Sequence, residues 1–396
     1  MREGWVQYIF KDVATAVKGK LPKNKNEVGV GIPYLTASYL RSSKPDFWIE
    51  NLEGAVTAED GDCLILWDGA GAGDLFSAHR GVVSSTMAVV STQNPNILRE
   101  FLTLLISSKA EYIKETCRGT TVPHVSPDAI TNMELKIPPL PEQRRIVDLI
   151  SSIDSYLASL RTALAKSISA QKSALESQLD TFNETSPIFR LEELCATGKS
   201  AIVDGPFGAN LKREDYLEEG VPVLKIQNIK QDFVLVKKMD FVSEDKYQEL
   251  RRHSFQKGDI VMTKLGDPLG LSAIVREIDK GLIVADLVRI RPDKIDVEFL
   301  CMQLNSAKIQ NYINRMQKGS TRPRVNLGMI REMPIAVPAE RDIKDFVTVF
   351  GAWGQQNRRL EETIQSTEKL RSGLLSDLLS GDHVIPTSYD RFIGAA

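Results

Sequence analysis

The sequence predicts an α+β protein: two similar mixed α/β domains, separated by two long antiparallel helices that form a coiled-coil spacer with pseudo-twofold symmetry. Three observations predict it. A twenty-residue stretch recurs 200 positions later without a gap. Each copy runs into a proline-marked segment with helical hydrophobic spacing. Only a short linker separates the first such segment from the second mixed domain.

Composition sets the bounds. A chain of 396 residues exceeds one ordinary core and predicts two or three domains. Its 42% hydrophobic and 26% charged residues are those of a soluble globular protein. Cys63, Cys117, Cys195 and Cys301 lie far apart with no Cys-x-x-Cys pair, which fits free thiols in a reducing compartment. The opening "MREGWVQYIFKDVATAV" lacks the apolar core of a signal peptide, and no apolar run approaches the ~18 residues of a membrane span, so a cytoplasmic location is expected. Net charge is −2, from 50 Lys+Arg against 52 Asp+Glu. That argues against a non-specific nucleic-acid coat but leaves room for local basic patches.

The repeat is the strongest internal signal. "GTTVPHVSPDAITNMELKIP" begins at Gly119 and "GSTRPRVNLGMIREMPIAVP" at Gly319, an offset of 319 − 119 = 200. Seven identities fall in register, among them Gly119/Gly319, Pro123/Pro323, Val125/Val325 and Met133/Met333. Upstream, "GIPYLTAS" answers "GVPVLKIQN" and "EDGDCLILWDGAGAG" answers "QKGDIVMTKLGDPLG". The order is therefore mixed domain (1–137), helix (138–183), mixed domain (184–337), helix (338–380) and tail (381–396), the tail being a candidate for disorder.

The first helix is expected to begin near Pro141 or Glu142. Ile146, Ile150, Ile153, Leu157, Leu160 and Leu164 are spaced four, three, four, three, four, the seam of a coiled coil. The phase then slips to Ile168, Leu175 and Leu179, as at a stutter. The second helix carries Ile343, Val347, Phe350 and Trp353, then Leu360, Ile364, Leu370, Leu374 and Leu378, with "GQQN" (354–357) interrupting the seam. A stripe of this kind also suits an ordinary helix packed on its own domain. Length favours pairing: about 39 residues at 1.5 Å each is ~58 Å, longer than a small domain is wide. The short linker "DTFNETSP" puts the second domain at the far end of the first helix, so the second helix must run back along it. Prolines at 138, 139 and 141, echoed at 334 and 338, stiffen each entry from domain to helix.

Duplicated but diverged domains on a fixed spacer suit a target with two related, unequal halves, as duplex DNA offers. In the second domain "DGPFGANLKRED", "LKIQNIK", "TKLGDPLG" and "KGSTRPRVN" are rich in residue types that pair with base edges and phosphates. Arg315, Lys318, Arg322 and Arg324 crowd together with no acid among them, although solvated surface turns have the same composition. The first domain's "CLILWDGAGAGDLF" resembles the opening loop of an S-adenosylmethionine-binding methyltransferase. No helical periodicity follows it, and no Asn-Pro-Pro-Tyr or Asp-Pro-Pro-Tyr quartet occurs, so a tight backbone-exposing turn is the expectation. His79, His124, His253 and His383 lack metal-ligand spacing, and no Walker loop or nucleophile elbow appears. No active site and no metal site is expected.

These residues resemble one family. "IPPLPEQRRIVDLISSID" is similar to the central conserved region of Type I restriction-modification specificity (S) subunits. "DGPFGANLKREDYLEEGVPVLKIQNI" and "LILWDGAGAGDLF" with "VSSTMAVV" are similar to starts of their target-recognition domains. "VPAERDIKDFV" departs from the family's Pro-Pro-x-x-Glu-Gln pattern. The resemblance implies that each mixed domain reads one half of a bipartite asymmetric DNA site, that the spacer fixes the gap, and that this chain catalyses nothing. It implies as partners two modification subunits that methylate adenine with S-adenosylmethionine, and two motor-nuclease restriction subunits using ATP and Mg. Carried over by position, Thr36, Ser38, Trp67, Asp68, Ser84, Ser85, Thr120, Thr121 and His124 are candidates for the first half-site. For the second they are Asn210, Lys212, Lys225, Gln227, Asn228, Lys264, Ser320, Thr321, Arg322 and Arg324. Ile146, Ile150, Ile153, Leu157, Leu160, Leu164, Ile343, Val347, Phe350, Leu360 and Ile364 are the spacer and partner-docking positions. The rival readings are a stand-alone methyltransferase using the Gly69–Gly73 loop, and a scaffold that binds no DNA.

Overall fold

A computed structural model describes residues 4–22, 24–119, 122–198, 200–206, 210–317 and 323–393. Thr120, Thr121, Ser320, Thr321 and Arg322 lie outside the described residues. Two long helices, α1 (Leu140–Thr185) and α2 (Glu340–Ser380), each follow one of the mixed domains. The compact units cut both helices near their middles: Met1–Thr162 with Glu361–Ala396, and Ala163–Leu360.

In the first unit, Thr15–Lys18, Met87–Ser91, Cys63–Leu66 and Leu75–Ser77 form an antiparallel sheet in that spatial order. A second sheet orders Trp48–Ile49, Ile32–Leu35, Gly81–Val83 and Thr57–Ala58, with the middle pair parallel. Strand alternation separates two cores. Cys63 and Ile65 face a cluster with Phe101, Ile106, Ile146 and Ile150, while Leu64 and Leu66 face the second sheet with Leu35, Val83 and Met87. Val6–Ile9 pairs with Glu134–Ile137, the strand that leads into α1.

The second unit repeats this topology. Ile202–Asp204, Leu287–Ile290, Ile260–Thr263 and Ser272–Ile274 form one sheet, to which Asp232–Phe233 adds an edge strand. Asp240–Val242, Val221–Leu224, Lys280–Ile283 and Ser254–Gln256 form the other. Ile188–Arg190 and Pro334–Ala336 make the ribbon. One glycine pair shows how closely the frames match. Gly19 N–H donates to Met87 O (2.9 Å) and Gly205 N–H to Leu287 O (3.2 Å). A Cβ on Gly19 would lie 2.1 Å from Val83 O, and one on Gly205 would lie 2.1 Å from Val284 O. Only glycine lets the two backbones approach this closely.

The "PEQ" of the first helix entry has a specific task. Gln143 is fully buried, and its amide donates to Asn96 O and Pro138 O (2.8 Å each) while accepting from Leu98 N (2.8 Å). The first turn of α1 is thereby fastened to the domain before it.

Within each unit the helices run antiparallel. In the first, Arg371 holds Asp154 through both carboxylate oxygens and Arg161 meets Glu368 at 2.5 Å. In the second, Phe182 packs edge-on against Phe346, and both rings meet Phe299. The expected seam needs correction at two places. Ile168 is 45% and Leu370 64% exposed, because Ser167 and Arg371 hold the inward positions instead. "GQQN" does not break the stripe: Ile343, Phe350, Asn357, Ile364, Arg371 and Leu378 recur every seven residues, and Asn357 is buried. Asn357 Nδ2 donates to Gln171 Oε1 (2.8 Å), and its Oδ1 meets Ser167 Oγ at 2.6 Å. Trp353 Nε1 donates to Ser167 Oγ (2.8 Å), and Gln171 Nε2 to Phe350 O (3.2 Å). This closed polar layer replaces the expected stutter at Ile168. Residues Thr387–Phe392 form a short 3-10 helix rather than a disordered tail; Arg145 grips Asp390 at 2.6 Å, and Ile385 is buried.

Candidate nucleic-acid interface

In the first unit, backbone hydrogen bonds link the candidate residues into one rim. Ser84 N–H donates to Leu35 O (3.4 Å), beside Thr36, and Ser85 N–H to Tyr34 Oη (3.0 Å). Trp67 N–H donates to Thr86 O (2.7 Å), Val125 N–H to Trp67 O and Gly69 N–H to Pro123 O (2.9 Å each). His124 is held to Arg118 by two backbone bonds of 2.8 and 2.9 Å, and bridges to Asp68.

The second unit repeats these bonds with other side chains. Val284 N–H donates to Leu224 O (3.1 Å), beside Lys225. Lys264 N–H donates to Asp286 O (2.9 Å), and Val325 N–H to Lys264 O and Gly266 N–H to Pro323 O (3.0 Å each). Arg324 bridges to Leu265 as His124 does to Asp68. The paired positions are Thr36/Lys225, Ser38/Gln227, Trp67/Lys264, Asp68/Leu265 and His124/Arg324. One backbone frame thus carries two unlike sets of side chains.

Residues 2–170 match the Type I restriction modification DNA specificity domain. The chain is 23% identical to the Type I restriction enzyme MjaVIII specificity subunit of Methanocaldococcus jannaschii, over 96% of this chain and 93% of that protein. It is 19% identical to the EcoBI specificity subunit of Escherichia coli, over 96% and 87%. The fold is similar to the S subunit of a Type I restriction-modification system from M. genitalium (TM-score 0.58, 18% identity, 95% and 96% covered). It is also similar to a chain solved in work on complex assembly and conformational transition of the type I R-M system (TM-score 0.60, 16% identity, 97% and 99% covered). The first repeat thus resembles a Type I DNA specificity domain, and the whole chain is similar to specificity subunits along nearly its full length.

Not every candidate residue reaches the surface. Ser84 is buried, its Oγ 3.2 Å from Thr86 Oγ1, and it lies beneath the first rim. Asn228 is buried too: Oδ1 accepts from Lys225 N (3.0 Å) and Nδ2 donates to Leu235 O (3.0 Å). Both are corrections to the sequence reading. A buried loop must satisfy its own polar groups, and the short polar residues that do so have the composition of contact residues. Thr36 caps the helix Ala37–Ser42 by accepting from Tyr39 N (3.1 Å), leaving Ser38 exposed on that helix.

The charged candidates differ in what holds them. Lys18 pairs with Asp68. Lys264, only 12% exposed, pairs with Asp204 at 2.7 Å, and Lys225 pairs with Asp240 at 2.5 Å while covering the Tyr216 ring at 4.1 Å. Lys212 N–H donates to Asp215 (2.6 Å), with its ammonium 3.5 Å from Glu214. Asn210, Gln227 and Arg324 are exposed. A cavity of about 830 Å³ beside this rim is lined by Tyr216, Lys225, Gln227, Lys230, Asp267 and Asp286, among others. The ion-pairing acids were missed as such, although Asp204 stands inside the quoted "DGPFG".

The glycine loop has a structural explanation. Leu66 N–H donates to Asp74 O and Gly73 N–H to Leu66 O (2.8 Å each), a hairpin that leads into the strand Leu75–Ser77. The helix N-terminus on which a cofactor loop seats phosphate or nucleoside is therefore replaced by a strand. Arg41 (2.6 Å) and Lys114 (3.2 Å) converge on Asp74 behind the loop. Burial pulls the Asp74 pKa upward, but Lys114 and Arg41 together outweigh it and hold the carboxyl below its ordinary range. Burial pushes the Cys63 thiol up to about 12, with Asp62 adding to it, and Cys195 likewise to about 12. Thiols so far from thiolate are poor nucleophiles. Among the described residues no group of three or more His, Cys, Asp or Glu could hold a metal ion, and no helix is long and apolar enough to cross a membrane.

Proposed function

We propose that this chain reads DNA for a Type I restriction-modification complex, one rim on each half of a bipartite, asymmetric site. The observation that carries the reading is the shared frame with exchanged side chains. Trp67 and Lys264 accept the same backbone hydrogen bond, from Val125 and Val325, yet present an aromatic ring and an ammonium. Two half-sites of different sequence require such a pair, because base readout lies in side chains while frame and phosphate contacts set position.

The α1–α2 pair fixes the gap between half-sites and docks two modification subunits, and two restriction subunits complete the assembly. S-adenosylmethionine, ATP and Mg belong to those partners; this chain binds no cofactor and supplies no catalytic group. It works in the cytoplasm, where the chromosome lies. The near-balanced net charge of −2 fits a reader whose partners carry much of the phosphate binding. Methylation mapping of cells with and without the gene tests the reading. A bipartite adenine mark that vanishes on deletion is expected. Purified chain that methylates DNA by itself, or a methylome unchanged by deletion, refutes it.

A further inference from the structure

We propose that Arg324 reads a guanine in the half-site of the second rim. This deepens the function proposed above and rests on it. Of the second rim's candidate cations that fall among the described residues, Lys264, Lys225 and Lys212 are engaged by Asp204, Asp240 and Glu214. Arg324 is exposed, and no such carboxylate holds it. Its backbone is nevertheless fixed: Val325 N–H donates to Lys264 O, Gly266 N–H to Pro323 O, and Arg324 itself bridges to Leu265. A guanidinium on a rigid two-sided ladder, with its own fork unengaged, presents two parallel donors at low conformational cost.

Asp267, two residues beyond Leu265, lines the cavity beside this rim together with Lys225, Lys230 and Asp286. The fork itself matches a base edge: the major-groove edge of guanine offers N7 and O6 as paired acceptors. Its paired cytosine presents an amino donor that a carboxylate can accept. In the first rim the same position is His124, bridged to Asp68 in place of Leu265, so the first half-site needs no matching guanine.

The test uses the full chain assembled with its modification subunits, on a DNA library randomised in both halves. Arg324→Ala, Arg324→Lys and Arg324→His are compared with the parent. The parent is expected to prefer guanine at one position of the second half. All three variants should lose that preference by roughly 5- to 150-fold, the range for one bidentate contact, with the first half read unchanged. The unchanged first half serves as the folding control. A uniform loss across sequences, with Arg324→Lys restoring affinity and a salt slope lower by about one, would make Arg324 a phosphate contact and overturn the proposal. Unaltered guanine preference in all variants also overturns it while leaving the DNA-reading function standing. A parent with no preference in either half overturns both.

Discussion

Removing the Asn357 side chain should destabilise the second unit more than removing the whole polar layer around it. Asn357→Ala deletes two hydrogen bonds, to Ser167 Oγ (2.6 Å) and Gln171 Oε1 (2.8 Å), in a site where Asn357 is only 6% exposed. Each bond contributes about 0.5–1.5 kcal/mol, and stranding the Gln171 acceptor adds about 1–3 kcal/mol. A loss of about 2–6 kcal/mol is expected, or ~4–24 °C for a unit of ~200 residues. Replacing the layer together (Ser167→Ala, Gln171→Leu, Trp353→Phe, Asn357→Leu) removes donors and acceptors in pairs. That variant should lie within about 1 kcal/mol of the parent or above it, as when buried polar clusters give way to packed apolar groups. Urea unfolding followed by far-ultraviolet circular dichroism, with the slope compared between variants, measures both. If the fourfold variant loses as much as Asn357→Ala, side-chain shape rather than hydrogen-bond satisfaction governs the layer, and the reasoning fails.

Two further outcomes follow from named geometry. Gly19→Ala and Gly205→Ala place a Cβ 2.1 Å from the backbone oxygens of Val83 and Val284, so both should abolish soluble expression; Gly351→Ala in α2, with no atom within 4 Å of the added carbon, should instead stabilise by about 1 kcal/mol in a thermal melt. Asp74, held below its ordinary pKa in the folded chain, contributes stability that is present above the unfolded carboxylate value and lost as pH falls through the folded one. Melting temperature should therefore drop on acidification below about pH 4, and Asp74→Asn should flatten that part of the curve; an unchanged curve would show that the Arg41–Lys114 cluster does not couple to folding.

The duplication was legible because backbone requirements leave marks in residue type: Pro123 and Pro323 accept the same backbone hydrogen bond in the two units, from Gly69 N–H and Gly266 N–H. The heptads were legible for the same reason, since Ile146, Ile150, Ile343 and Phe350 are buried at the spacing that predicted them. Periodicity failed where polar residues took inward positions. Ile168 and Leu370 looked like the continuation of the stripe, and only the partners of Ser167, Asn357 and Arg371 show why those positions turn inward instead. The contact residues were legible as segments rather than as side chains. Asn228 and Asn210 look alike in sequence, yet one is sealed beneath its loop and the other is exposed. Ile385 and Asp390 gave no signal, because a single 3-10 turn has no period to detect.

The first unit's core contains Leu375, Leu378, Leu379 and Ile385 beside Ile146 and Ile150. Arg145 and Asp390, which meet there, are 245 residues apart in sequence. During synthesis the earlier domain therefore emerges from the ribosome with an apolar face that nothing yet covers, and waits for nearly the whole remaining chain before that face closes. Such a long-range closure is slow and exposed to aggregation, so chain yield in cells should depend on chaperone supply, and shortening the gene from its 3′ side should harm the part that was translated first.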